Sequence, residues 1–205
     1  MKKNKSTKHW LLENNKEIFF NKSKQYGYRS RSAFKLIEMN DKFKFLRKNS
    51  YLLDLGSSPG GWSQVASKKI IIGKILAVDI KNMQNIKGVN FINGDFEERK
   101  TQNIIFSYFK NKIDVVLSDM AANTSGNKEL DSFRTGELCI KAMELAKKML
   151  NDNGIFISKI FMGSIFKEID ALAKKSFKNV IKFKPKSSKK VSKEVYIICK
   201  GILNI

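Results

Sequence analysis

With one histidine and two cysteines in 205 residues, the sequence has almost none of the side chains from which Cys/His metal centres and disulfide frameworks are made. Cys139 and Cys199 fall inside apolar segments and not in short paired spacings, and the single histidine is His9. Neither a metal site nor a disulfide is expected. Long apolar runs are missing too: nothing approaches the roughly 18 consecutive apolar residues that read as a membrane span. The lysine-rich start, Met1 to Lys8, leads into neither an apolar stretch nor a small-residue cleavage site. A cytoplasmic protein with no membrane partner is the expectation.

Acidic residues are the other scarcity, 19 Asp and Glu against 40 Lys and Arg, for a formal net charge of +21. Residues 1 to 35 hold ten basic and two acidic side chains, and residues 174 to 205 hold ten and one, so the two ends carry a net +17 of the chain's net +21. A lysine bias inherited from base composition would load the middle as well. Two basic segments flanking a near-neutral centre are instead the electrostatic footprint of a protein that meets a polyanion, and nucleic acid is the expected one. Tyr26, Tyr28 and Arg29 add stacking and hydrogen-bonding groups to the first of these segments. Hydrophobic residues make up 42% of the chain, enough for one sizeable core, and no linker or repeat divides it.

From Ser50 onward, short apolar β-rich runs alternate with segments of helical period, which predicts an α/β fold with a mostly parallel sheet and helices on both faces. The runs are 51–55, 75–80, 89–92, 113–118, 155–161, 179–183 and 194–200, seven strands in all. Leu138, Ala142, Leu145 and Met149, with Cys139, Met143, Ala146 and Leu150, form one broad helical stripe that Asn153-Gly154 is expected to close. Ser30 or Ser32 is placed to cap a helix carrying Phe34, Leu36, Ile37 and Met39. Only a polar connection separates the last two strands, so they are expected to pair antiparallel.

The segment Asp54-Leu55-Gly56-Ser57-Ser58-Pro59-Gly60-Gly61-Trp62 runs from a buried strand through a glycine-rich turn into a helix. Such a turn lies at the carboxyl edge of a parallel sheet, where ligands bind. Its G-x-x-x-G-G spacing, with a proline inside, is neither the G-x-G-x-x-G of dinucleotide binding nor a phosphate loop, which needs Gly-Lys-Ser/Thr. Asp79 ends the second strand, where a carboxylate accepts from ribose hydroxyls, and Asp95 follows the third, within reach of an adenine amine. Together with the glycine turn they point to an adenosine-containing cofactor.

Asp119 ends the fourth strand and Lys159 interrupts the apolar fifth. A charge in a core strand is costly unless it is paired, so Lys159 has a partner or a task. An antiparallel last strand would begin at the same edge, bringing Glu194 to the rim that holds Asp119 and Lys159. Lys35, on the helix before the first strand, is the fourth candidate.

These residues resemble the RrmJ/FtsJ ribose 2'-O-methyltransferases of large-subunit ribosomal RNA. The resemblance runs from Tyr28-Arg29-Ser30-Arg31-Ser32-Ala33-Phe34-Lys35-Leu36 through Asp54 to Gln64 and Ser118-Asp119-Met120 to Ser192-Lys193-Glu194-Val195-Tyr196. It implies a Rossmann-like S-adenosylmethionine-dependent methyltransferase fold and a catalytic tetrad of Lys35, Asp119, Lys159 and Glu194. It implies cofactor contacts from Gly60, Trp62, Asp79, Asp95 and Asp119, with no metal. The expected substrate is a uridine ribose in 23S ribosomal RNA of the large subunit, modified by a monomer. Residues 1–30 then read as a basic RNA-binding extension and 31–205 as the catalytic core of a single domain. One departure is visible: the family pattern after Asp-Met-Ala has proline where Ala122 stands here. Two alternatives remain at this level, a methyltransferase of transfer RNA or messenger RNA caps, and an RNA-binding assembly factor without turnover. An intact Lys-Asp-Lys-Glu set argues against the second. Whether Lys159 removes the hydroxyl proton or only orients the hydroxyl is open.

Overall fold

The computed structural model describes residues 18–122, 125–189 and 192–203. Much of the basic N-terminal segment and Asn123 of the Asp-Met-Ala loop lie outside these. Helix α1 (residues 18–25) leads into α2 (Ser32–Phe43), β1 (Tyr51–Leu55), α3 (Gly61–Lys69), β2 (Lys74–Asp79), β3 (Asn90–Asn93), α4 (Arg99–Phe109) and β4 (Ile113–Ser118). The long α5 (Lys128–Met149), β5 (Leu150–Phe161), α6 (Phe166–Ser176), β6 (Phe177–Phe183) and β7 (Glu194–Ile202) complete the chain.

All seven strands join one sheet in the order β3-β2-β1-β4-β5-β7-β6. Only β7 runs against the others, paired with β5 on one side and β6 on the other. Alternation along the strands sorts side chains to two cores. Leu53, Leu55, Val116, Phe156, Ile160 and Ile197 pack under α4, α5 and α6. Leu52, Val115, Leu117, Ile157, Tyr196 and Ile198 pack under α2 and α3. Cys139 and Cys199 are buried in the first core, where burial pushes the Cys139 thiol up to about 12 and raises Cys199 as well.

Two local expectations are corrected. Neither Ser30 nor Ser32 caps α2, because tertiary contacts take both: their hydroxyls bond each other at 2.7 Å, and the Ser32 carbonyl accepts from the Trp62 indole at 2.9 Å. The long helix ends at Met149, before Asn153-Gly154. Leu150 already lies opposite Ile113 in the sheet; the register then shifts, and Ile155 sits opposite Val115. Burying Leu150 in the sheet outweighs one more helical turn, and Asn153 N–H closes the intervening turn on Asn151 Oδ1 at 3.1 Å.

Among the described residues, no helix is long and apolar enough to cross a membrane.

Candidate functional site

The strand order reverses direction between β1 and β4, and in sheets of this kind the crevice beyond that point collects ligands. Here it holds a cavity of about 300 Å³ lined by Gly56, Asp79, Gly94, Asp95, Phe96, Asp119, Met120, Leu138 and Lys159, among others. Gly56 has φ +70°, and a Cβ there would come within 2.2 Å of Met120 Cγ, so the backbone turns under Met120 only because no side chain is present.

Asp79 is held by two backbone donors, Ser58 N–H at 2.8 Å on Oδ2 and Lys81 N–H at 2.7 Å on Oδ1. The carboxylate thereby ties the glycine turn to the end of β2. Asp95 accepts from Glu97 N–H at 2.9 Å. These two carboxylates and the ring of Phe96 border one end of the cavity; Asp119 and Lys159 border the other. Polar groups at both ends with apolar walls between suit an adenosine joined to an amino-acid tail, and the volume lies at the lower end of the roughly 300–1,000 Å³ of small-ligand sites.

Gly60 and Trp62 are not among the residues lining this cavity. Gly60, at φ +109°, faces Arg29, Met83 and Ile86, and the Trp62 indole is buried against the Tyr196 ring at 5.7 Å. Both act on the turn from its inner side. Arg29 does so too: its guanidinium donates to the carbonyls of Pro59, Gln84 and Asn85 at 3.2, 2.6 and 2.8 Å. It clamps the turn to the loop after β2.

Lys35, Asp119, Lys159 and Glu194 come together as two linked ion pairs. Lys159 Nζ lies 3.2 Å from Asp119 Oδ1 and also donates to the Asp119 carbonyl. Lys35 Nζ lies 2.7 and 2.8 Å from the two oxygens of Glu194. Tyr196 connects them. Its hydroxyl donates to Asp119 Oδ1 at 2.8 Å, and its ring lies 5.7 Å from Lys35 Nζ. Burial, followed by the nearby Asp119 and Glu194 carboxylates, holds the Tyr196 phenol well above its usual range, so it stays a donor. The antiparallel register sets this up, with Lys159 opposite Tyr196 and Phe161 opposite Glu194.

Several members were not singled out from sequence. Tyr196 lies two residues after Glu194 on a strand, hence on the same face, and that spacing was the available signal. Ser188 donates to Glu194 Oε1 at 2.8 Å, while Glu38 accepts from the Lys186 and Ser187 N–H groups at 2.6 and 2.9 Å. Glu38, one turn beyond Lys35 on α2, thus fastens the basic connection between β6 and β7 beside the tetrad.

Near α1 the aromatic side chains cluster with lysines. Phe34 meets Phe19, Tyr26 and Tyr28 at 5.5, 6.3 and 5.7 Å, and Lys68 lies 4.2 Å over Tyr28. Tyr26 and Phe20 remain exposed.

A match to the FtsJ-like methyltransferase family spans residues 28–202. The ribosomal RNA large subunit methyltransferase E of Pelagibacter ubique is 49% identical over 200 residues, covering 98% of both chains. That of Rickettsia bellii is 43% identical, over 96% of this chain and 89% of its own. The crystal structure of a ribosomal RNA methyltransferase from Plasmodium falciparum superposes with a TM-score of 0.76 at 34% identity, covering 86% of this chain and 99% of that one. The match runs along nearly the whole chain and the relatives are 43 and 49% identical over it: the protein belongs to the FtsJ-like methyltransferase family.

Proposed function

We propose that the chain transfers a methyl group from S-adenosylmethionine to a ribose 2'-hydroxyl, that of a uridine, in 23S ribosomal RNA of the large subunit. The observation that carries this reading is the position of Lys159. Its side chain borders the cofactor cavity and is held by Asp119 in the same contact.

When bound, S-adenosylmethionine supplies an electrophilic methyl on a sulfonium. Asp79 and Asp95 would hold its ribose and adenine, and Asp119 its amino-acid end. Trp62, Gly60 and Arg29 keep the turn in the shape those contacts need. Lys159 Nζ meets the incoming 2'-hydroxyl and takes or steers its proton, while Tyr196 and Asp119 fix where that nitrogen stands. The Lys35–Glu194 pair flanks the same rim and orients the ribose. Placing the hydroxyl in line with the methyl contributes most of the acceleration in such a transfer, through proximity and orientation. The names of the relatives support ribosomal RNA of the large subunit as substrate, and the basic ends suit it. The resemblance described above supports uridine and the 2'-oxygen.

The direct test adds the purified chain and labelled S-adenosylmethionine to large subunits from cells lacking it, then maps the modified position. One new 2'-O-methyluridine is the expected product. Label on a base, or none, would overturn the reading.

The basic N-terminal segment carries a second expectation. Its five lysines before residue 18 are proposed to neutralise phosphates. The logarithm of the RNA binding constant should then fall linearly with the logarithm of salt, at about 0.9 per phosphate contact on duplex and about 0.7 on single strands. Changing those lysines to glutamine should flatten the slope without altering cofactor binding. An unchanged slope would leave that charge as solvated surface.

A further inference from the structure

A second cavity, about 440 Å³, opens on the same rim beyond the tetrad. It lies where β5 and β7 part, and its wall continues their pairing: Met162 N–H donates to the Lys193 carbonyl at 3.0 Å. The floor is closed by a tight approach of Gly163 to α5, where a Cβ would come within 2.2 Å of Ser132 Oγ. Ser132 in turn donates to the Phe161 carbonyl at 3.3 Å. The cavity is thus a shaped feature of the chain fold and not a gap between mobile side chains.

Its chemistry is mixed in an informative way. Phe161 and Met162 supply apolar surface, and Met162 is exposed despite its size. The Ser164 hydroxyl is exposed at the opening. Glu129 supplies an acceptor at the lining, which repels a phosphate but receives a ring N–H; Asp131 beside it already accepts from Ser125 N–H and Oγ, and Lys128 and Lys193 also border the opening. An aromatic ring with N–H donors and a phosphate on either side meets all three sets.

Position selects which ring. Phe161 lies two residues after Lys159 on β5, about 7 Å along the strand, and alternation puts both on one face. In a ribonucleotide the base hangs on the carbon next to the one bearing the 2'-hydroxyl. A hydroxyl at Lys159 therefore leaves its own base one sugar carbon away, within reach of Phe161. We propose that this second cavity seats the nucleobase of the nucleotide being methylated, unstacked from its neighbours as bases read by proteins in RNA commonly are. This rests on the proposed function, and it places base selection in Phe161, Met162, Ser164 and Glu129.

The test uses the full-length chain with unmethylated large subunits and labelled S-adenosylmethionine in single turnover. Ser164→Phe, at an exposed position, fills the cavity, and Met162→Ala strips its apolar wall. Both should keep their melting temperature and their affinity for the demethylated cofactor, while transfer at saturating subunits falls by roughly 10- to 100-fold for Ser164→Phe, the scale of one base-stacking contact, and by less for Met162→Ala. Ultraviolet crosslinking of the wild-type complex should leave a nucleotide on the peptide containing residues 161–164. Wild-type transfer rates in both variants, or crosslinks confined to other peptides, would overturn the proposal. A wild-type chain that binds subunits but transfers nothing would instead overturn the proposed function, and the crosslinked peptide would still report on the cavity.

Discussion

Lys159→Ala is expected to lower single-turnover methyl transfer by roughly 10²- to 10⁴-fold, the contribution of a well-placed proton acceptor, while the affinity for the demethylated cofactor stays near wild type. The geometry argues for a loss this large. Among the described residues, Lys159 Nζ is the one cation held against both the side chain and the backbone carbonyl of Asp119, while Lys35 is engaged with Glu194. Lys159→Arg should fail almost as badly. The guanidinium is a planar fork that cannot be deprotonated at working pH, and the slot between the two Asp119 oxygens takes a single nitrogen. The pH profile then separates the two tasks. A proton acceptor gives a wild-type rate that rises with pH to a plateau, a dependence that both variants lose. A wild-type rate independent of pH assigns Lys159 to orienting the hydroxyl. Near-wild-type transfer by Lys159→Ala would remove both tasks and leave a structural ion pair with Asp119.

How the site was visible from sequence depends on which interactions build each part. The strands announce themselves, because a buried parallel strand needs a continuous apolar run, and the runs at 51–55 and 113–118 coincide with β1 and β4. Lys159 stood out by contrast with such a run. Asp54 interrupts the same kind of run and is equally legible as a buried charge. What the sequence does not carry is registration. Glu194 faces Phe161 only because β7 enters between β5 and β6, an order that follows from packing over the whole sheet. Local rules failed where a tertiary partner competed. Ser30 and Ser32 have the chemistry of helix caps, but the Trp62 indole and their own mutual bond claim them. Arg29 reads as an RNA-facing arginine by composition, and only the fold shows three carbonyls around its guanidinium.

Asp54 carries the other large expected effect, on stability. It lies in β1 at 1% exposure and accepts from Ser63 Oγ at 2.6 Å, and among the described residues its Oδ1 has no partner. Burial is the main reason its carboxyl is pushed up to about 7; the Ser63 bond opposes the rise, and the Asp119 and Asp79 carboxylates add to it. Because the folded value lies above the unfolded one of 3.8, the folded chain holds this proton more tightly. The resulting stabilisation is complete below the unfolded value and is lost as pH rises toward about 7, in total about 4 kcal/mol for a shift of this size. Other carboxylates titrate in the same window, so the useful quantity is the difference between wild type and Asp54→Asn, which lacks the proton but keeps the shape and an acceptor for Ser63. Urea unfolding from pH 4 to 8 should show that difference moving steadily in favour of asparagine, by an amount on the order of 4 kcal/mol, and levelling above pH 7. Parallel profiles for the two proteins would mean that Asp54 is ionised throughout and that water or the cofactor turn meets its free oxygen. In that case Ser63→Ala, which removes the hydroxyl donor, should cost about as much at pH 4 as at pH 8, because the bond it removes is made to a charge at both.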